Sequence, residues 1–170
     1  MPEGDPAGPL VLFGLGGNLG DPGAQLREAV RRLEAEVAVE RRSSLYRTDP
    51  VDAPGQPPYL NAVISARSSL PPRILLDLAG RVEGEMGRER GARNAARLID
   101  IDLLAAGSAV IDEPGLTVPH PRMHFRRFVL VPLVEIHPGW THPVLERSAR
   151  QLLEELPDSG RVERAGELGP

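Results

Sequence analysis

The segment Arg97-Leu98-Ile99-Asp100-Ile101-Asp102-Leu103-Leu104 alternates two aspartates with aliphatic residues. In a strand this alternation projects both carboxylates from one face, roughly 6.6–7 Å apart along the backbone. Two hard anionic oxygen donors at that spacing suit Mg²⁺, which usually takes one or two carboxylates and fills its other positions with water and phosphate oxygens. An Asp-x-Asp pair alone is more often the solvated face of an amphipathic strand. Arg81, Arg88, Arg90, Arg93 and Arg97 stand just upstream and shift that balance, because a guanidinium donates paired hydrogen bonds to phosphate and stays charged. Arg81 and Arg93 fit a simpler role as charge compensation near a helix C-terminus.

Three further groups of residues carry chemical possibilities. His120, in Val118-Pro119-His120-Pro121, and Arg126 offer phosphate contacts on a constrained loop. A zinc site from His120, His124, His137 and His142 competes with this poorly, since their spacing and the intervening prolines match no familiar helical ligand pair and the chain has no cysteine. Thr48-Asp49-Pro50-Val51 and Tyr59-Leu60-Asn61 flank a proline-rich loop, and an aromatic face beside an amide edge is how a flat heterocycle is read. Taken singly, Tyr59 reads better as an ordinary strand or core aromatic, and Phe128 as part of a packed segment with Phe125, Leu130 and Leu133. The glycines between residues 14 and 20 fail the dinucleotide fingerprint because Leu19 stands where its third glycine belongs. A tight strand-to-helix turn, with close backbone approach through Gly16 and Gly17, is expected instead.

Composition narrows the chemistry. All 20 basic residues of the 170-residue chain are arginine, so no lysine is available for a Walker-type phosphate loop or a Schiff base. The absence of cysteine excludes thiol nucleophiles and disulfides and suits a reducing cytosol. A formal net charge of −4 argues against a general nucleic-acid binder. No apolar run is long enough to span a bilayer, and the acidic, proline-broken start does not resemble a signal peptide, so a cytoplasmic location without a membrane partner is expected.

The elements that must position these residues follow from periodicity. Residues 10–15 form an apolar run, then Asp21-Pro22 opens a helix whose apolar positions Leu26, Ala29, Val30, Leu33 and Val37 recur at helical spacing. Residues 37–48 and 59–67 read as strands around the proline-rich loop. Pro71-Pro72 starts a second helix, with Ile74 or Leu75, Leu78, Val82 and Met86 on one face and Gly87 as its stop. The aspartate strand comes next, followed by a turn at residues 105–108 into a short partner strand. Ser148 and Gln151 have capping-box spacing before a last short helix.

Strand, helix, strand, strand, helix, strand is the split βαβ order. It predicts an α+β, ferredoxin-like βαββαβ core, an antiparallel sheet with helices on one face and a C-terminal extension over the other. One domain is expected over residues 10–156, with flexible termini at residues 1–9 and 157–170.

Taken in order, Gly16-Gly17-Asn18-Leu19, Ser44-Leu45-Tyr46-Arg47-Thr48, Tyr59-Leu60-Asn61, residues 83–88, residues 97–102 and Leu116-Thr117-Val118-Pro119-His120 resemble the 6-hydroxymethyl-7,8-dihydropterin pyrophosphokinase family. That family moves pyrophosphate from ATP to a pterin alcohol in folate biosynthesis. The resemblance implies that Asp100 and Asp102 hold two Mg²⁺ ions and that Arg88 and Arg97 neutralise phosphate charge. His120 and Arg126 would also reach the nucleotide, and Glu83, Leu103 and Thr117 would line its ribose and adenine region. It further implies that Thr48, Pro50, Val51 and Asn61 read the pterin edge while Tyr59 and Phe128 sandwich its ring. Asn94 stands where some members carry tryptophan, Ala96 where a proline precedes Arg97, and Pro121 where an aromatic follows the histidine. A loop over residues 87–96 is expected to order only when both substrates are bound. The competing readings are a Mg²⁺-dependent nucleotidyl or phosphoryl transferase on another small alcohol, and a ferredoxin-like binding module without turnover.

Overall fold

The computed structural model describes residues 8–49, 55, 57–87, 99–157 and 160–169. Strand β1 (Leu10–Gly17) occupies an interior position in the main sheet, as its apolar sequence requires. Helix α1 (Pro22–Glu34) begins as its sequence dictates, with the Asp21 carboxylate accepting from the Ala24 N–H at 3.1 Å and Pro22 in the first turn. The single strand expected over residues 37–48 is divided at Ser43 into β2 (Ala38–Arg42) and β3 (Ser44–Thr48). Both segments pair with β4 (Tyr59–Arg67). Across the break the Ser43 hydroxyl accepts from the Val63 N–H at 2.9 Å, and the Ser43 N–H donates to the Val63 carbonyl at 2.9 Å. The interruption therefore leaves no orphaned backbone group at Val63.

Helix α2 (Pro72–Glu85) buries Leu75, Leu78 and Val82, leaves Ile74 exposed, and is followed by Gly87 at φ +83°. That left-handed conformation favours glycine. Strand β5 (Asp100–Ala106) pairs with β1 at the sheet edge. The short strand after it corrects one expectation. β6 (Ile111–Glu113) pairs with β7 (Leu116–Val118) and not with β5, because Pro114 and Gly115, the latter at φ +78°, close a tight hairpin between them.

The main sheet runs β5-β1-β4-β3-β8, with β2 also on β4, and its pairs are antiparallel. This is the expected α+β, ferredoxin-like order with two additions. First, helices cover both faces. Phe13, Leu15, Ile64, Ile101 and Leu103 pack in one core with residues of α1 and α2. Leu12, Val63 and Leu104 pack in a second core with α3 (Arg127–Ile136) and α4 (Ala149–Glu155). Helix α3 was hidden because it is apolar almost all round and contains Pro132, which has no N–H to donate. Helix α4 carries the expected capping box between Ser148 and Gln151.

Second, the expected flexible tail over residues 157–170 is corrected by β8 (Val162–Glu167), which pairs with β3. Its largely polar sequence gives no strand signal of its own. Order comes from its anchors. The backbone carbonyl of Glu167 accepts from Arg27 at 3.0 Å, that of Gly169 accepts from Arg42 at 3.4 Å, and Leu168 is 3% exposed in the first core. No helix among the described residues is long and apolar enough to cross a membrane.

Candidate active site

Sheet register assembles the site. Asp100 on β5 is the Cα partner of Gly16 on β1, Gly16 of Asn61 on β4, and Asn61 of Tyr46 on β3. Asp102 is the partner of Gly14, which is in turn that of Val63. Side chains two apart on a strand share a face, so Asp100, Asp102, Asn61, Tyr59 and Thr48 all project from the side that carries α3. Gly14 and Gly16 lie between them and leave the floor bare. These glycines belong to the strand, which corrects the expected turn at Gly16 and Gly17. A Cβ on Gly16 would sit 2.9 Å from the Asn61 side-chain oxygen, so the close approach made possible here is that of an amide. The Asn61 amide donates to the Thr48 hydroxyl at 3.0 Å and is thereby oriented. Asn18 is nearly fully buried and donates to the Pro57 carbonyl at 3.3 Å, tying the end of β1 to the lead-in of β4.

Helix α3 covers only part of this face. The remainder is a cavity of about 720 Å³ lined by Thr48, Tyr59, Asn61, Asp100, Asp102, Arg126 and Phe128 among others. A second cavity of about 300 Å³ lies on the other side of β5 and is lined by Leu103, Thr117, Val118 and His120. Asp102 lines both cavities. Asp102 therefore stands at a seam between a space holding an aromatic and amide set and a space holding apolar, hydroxyl and imidazole groups.

The electrostatics of the seam are set by Arg126 and His120. The Arg126 guanidinium lies 3.9 Å from the Asp102 carboxylate and 5.4 Å from the centre of the Phe128 ring. Burial, reinforced by Arg126 and Arg122 and opposed by Asp100, pulls the His120 imidazole down to about 4. It is neutral at pH 7. Its Nδ1 accepts from the Arg122 N–H at 3.1 Å, so its proton sits on Nε2, which is the nitrogen left to donate. Two partly exposed carboxylates on one strand face, with water-accessible space on both sides, fit a hard divalent cation such as Mg²⁺.

Of the residues singled out from sequence, Thr48, Tyr59, Asn61, Asp100, Asp102, Arg126 and Phe128 come together in the larger cavity, and Leu103, Thr117 and His120 in the smaller one. Glu83 is buried on α2 and lines neither cavity. Pro50, Val51, Arg88 and Arg97, and the loop over residues 88–96, lie outside the described residues. Several lining groups had not been foreseen. Arg127 follows Arg126 directly, and that doubled arginine was a usable signal. Leu156, Pro157, Gly160, Arg161 and Val162 line the larger cavity only because β8 returns to the sheet.

Glu135 is another. Glu135 accepts from the Ser44 N–H at 2.7 Å, the Ser44 hydroxyl at 2.7 Å and the Tyr46 hydroxyl at 3.0 Å. This clamps α3 to β3. Burial, aided by Glu135, pushes the Tyr46 phenol up to about 12, so it stays protonated as a donor.

The fold and site together define a class: a helix-covered antiparallel α+β protein whose paired carboxylates separate two ligand-sized spaces. Comparison with known proteins is specific. The family model for 7,8-dihydro-6-hydroxymethylpterin-pyrophosphokinase matches residues 12–138, and the chain belongs to that family. A 2-amino-4-hydroxy-6-hydroxymethyldihydropteridine pyrophosphokinase of Synechocystis is 38% identical over 168 residues, covering 94% of this chain and 86% of the relative. The enzyme of the same name from Bacillus subtilis is 43% identical over 129 residues, covering 75% and 77%. Among solved structures, wild-type HPPK-DHPS of Plasmodium falciparum has a TM-score of 0.68 at 15% identity, a likeness of fold, over 86% of this chain and 44% of that one.

Proposed function

We propose that this chain transfers pyrophosphate from ATP to the hydroxymethyl group of 6-hydroxymethyl-7,8-dihydropterin, releasing AMP, as a cytoplasmic enzyme of folate biosynthesis. One observation carries the reading beyond family membership. Asp102 lines both cavities, and a two-substrate transfer needs its electrostatic centre where the two substrates meet.

In this reading the larger cavity takes the pterin. Tyr59 and Phe128 face its ring, and the Asn61 amide, oriented by Thr48, reads its polar edge together with Pro50 and Val51. The smaller cavity, with Leu103 and Thr117, takes the adenosine end, and Glu83 and the neutral His120 belong to the same nucleotide side. His120 donates from Nε2 to a phosphate oxygen. Asp100 and Asp102 would hold Mg²⁺, two ions in our reading, which when bound neutralises phosphate charge and orients the polyphosphate. Arg126 is poised to leave Asp102 for a phosphate oxygen, because its ring contact with Phe128 holds it at the seam. Arg88 and Arg97 add positive charge on the transferring and leaving groups.

The hydroxymethyl oxygen attacks the β-phosphorus in line. The bond from that phosphorus to the oxygen bridging it to the α-phosphate breaks, AMP departs, and the hydroxyl proton passes to an aspartate or to water. Placement and electrostatic stabilisation supply most of the barrier reduction. The test is product analysis after mixing the chain with Mg²⁺, ATP and the dihydropterin alcohol. AMP and the pterin diphosphate should appear together and vanish with EDTA, whereas ADP in place of AMP would refute the reading.

A further inference from the structure

Phe125 is 69% exposed, and it lines the larger cavity. The other large apolar side chains exposed among the described residues, Ile74, Val110, Val144 and Leu145, line neither cavity. Phe125 is also absent from both cores. Its outward position is imposed by its neighbours. It ends a 3-10 turn (Met123–Phe125) rooted by the fully buried Met123, with the Phe125 N–H donating to the Arg122 carbonyl at 3.0 Å and the Arg126 N–H to the Met123 carbonyl at 3.3 Å. One residue later the Arg126 carbonyl accepts from Val129 and Leu130, each at 3.0 Å, and α3 begins. The ring of His124 lies against it, with centroids 3.9 Å apart at 45°. An aromatic ring left in water at a cavity mouth gains by being covered.

We propose that Phe125 is a substrate-binding residue, whose ring packs against the exposed edge of the flat heterocycle held by Tyr59 and Phe128 and shields the hydroxymethyl arm from water. The proposal rests on the pterin reading above. It names an aromatic contact at the exposed rim of the cavity that the polar readers Thr48 and Asn61 also line.

The test is steady-state kinetics of Phe125→Ala and Phe125→Tyr beside the unaltered chain, with thermal midpoints measured in parallel. Phe125→Ala should raise the KM for the pterin about tenfold, the scale of one lost aromatic contact, while the KM for ATP and the midpoint stay unchanged. Phe125→Tyr should restore the pterin KM, because it keeps the ring. An unchanged pterin KM in Phe125→Ala, when the unaltered chain turns over, overturns the role of Phe125 alone. A change confined to self-association overturns it as well and assigns the ring to a chain-to-chain contact. If the unaltered chain made no pterin diphosphate, the pterin reading would fall and take this proposal with it.

Discussion

Asp102 is the residue on which both halves of the site meet. Replacing its carboxylate by an isosteric amide keeps the packing and removes one negative charge. Asp102→Asn should lower turnover by at least about a hundredfold, the scale on which single electrostatic partners of a transition state register, with the thermal midpoint preserved. A loss of turnover below tenfold would separate the carboxylate from the chemistry. His120 makes a second prediction, in pH. Its folded value is about 4 against 6.5 ordinarily, so between those values the unfolded chain binds the proton more readily. Stability therefore falls as pH drops from about 6.5 towards 4, and the contribution is complete above 6.5. His120→Gln should flatten that part of the stability profile, measured by denaturant midpoints at several pH values, and an unaltered slope would contradict it. The aspartates and His120 were legible as chemistry because their types and spacing are local facts. Phe125 carries no such signal, since exposure at a cavity mouth is not written in the residues next to it.

At the scale of the element, β1 does two jobs on its two faces. Val11, Phe13 and Leu15 enter the first core, and Gly14 and Gly16 keep the other face clear for a ligand. Gly16→Ala places a Cβ 2.9 Å from the Asn61 side-chain oxygen, so the amide must move away from the position in which Thr48 holds it. The pterin KM should rise about tenfold, in keeping with the loss of an oriented polar contact, and calorimetric titration with ATP should be little changed. An unshifted pterin KM would show that Asn61 does not read the substrate. The alternation of β5, the cap of α1 and the capping box of α4 were legible because each depends on residues within a turn or two. The break at Ser43 was not, since its hydroxyl serves Val63, 20 residues away, and α3 gave neither a clean helical stripe nor an uninterrupted run of N–H donors.

For the whole molecule, the decisive event is the return of the chain end to the sheet. Leu168 is 3% exposed in the first core, although β8 itself is largely exposed. Leu168→Ala should destabilise the chain by about 2 kcal/mol, the low end for a buried leucine because a terminal segment relaxes readily. Urea midpoints would check this, and an effect under a few tenths of a kcal/mol would show that the segment is merely laid on the surface. By itself the sequence determined the antiparallel α+β order, the starts of α1, α2 and α4, the placement of two carboxylates on one strand face and the family the chain belongs to. Those properties follow from periodicity, capping and short motifs. Tertiary structure alone decided that α3 covers part of one sheet face and leaves a cavity, that Asp102 borders two spaces, and that β8 walls one of them. The reason is distance along the chain. The contacts responsible join Ser44 to Glu135 across 91 residues and to Arg164 across 120, and no local preference specifies which surfaces so far apart will pack together.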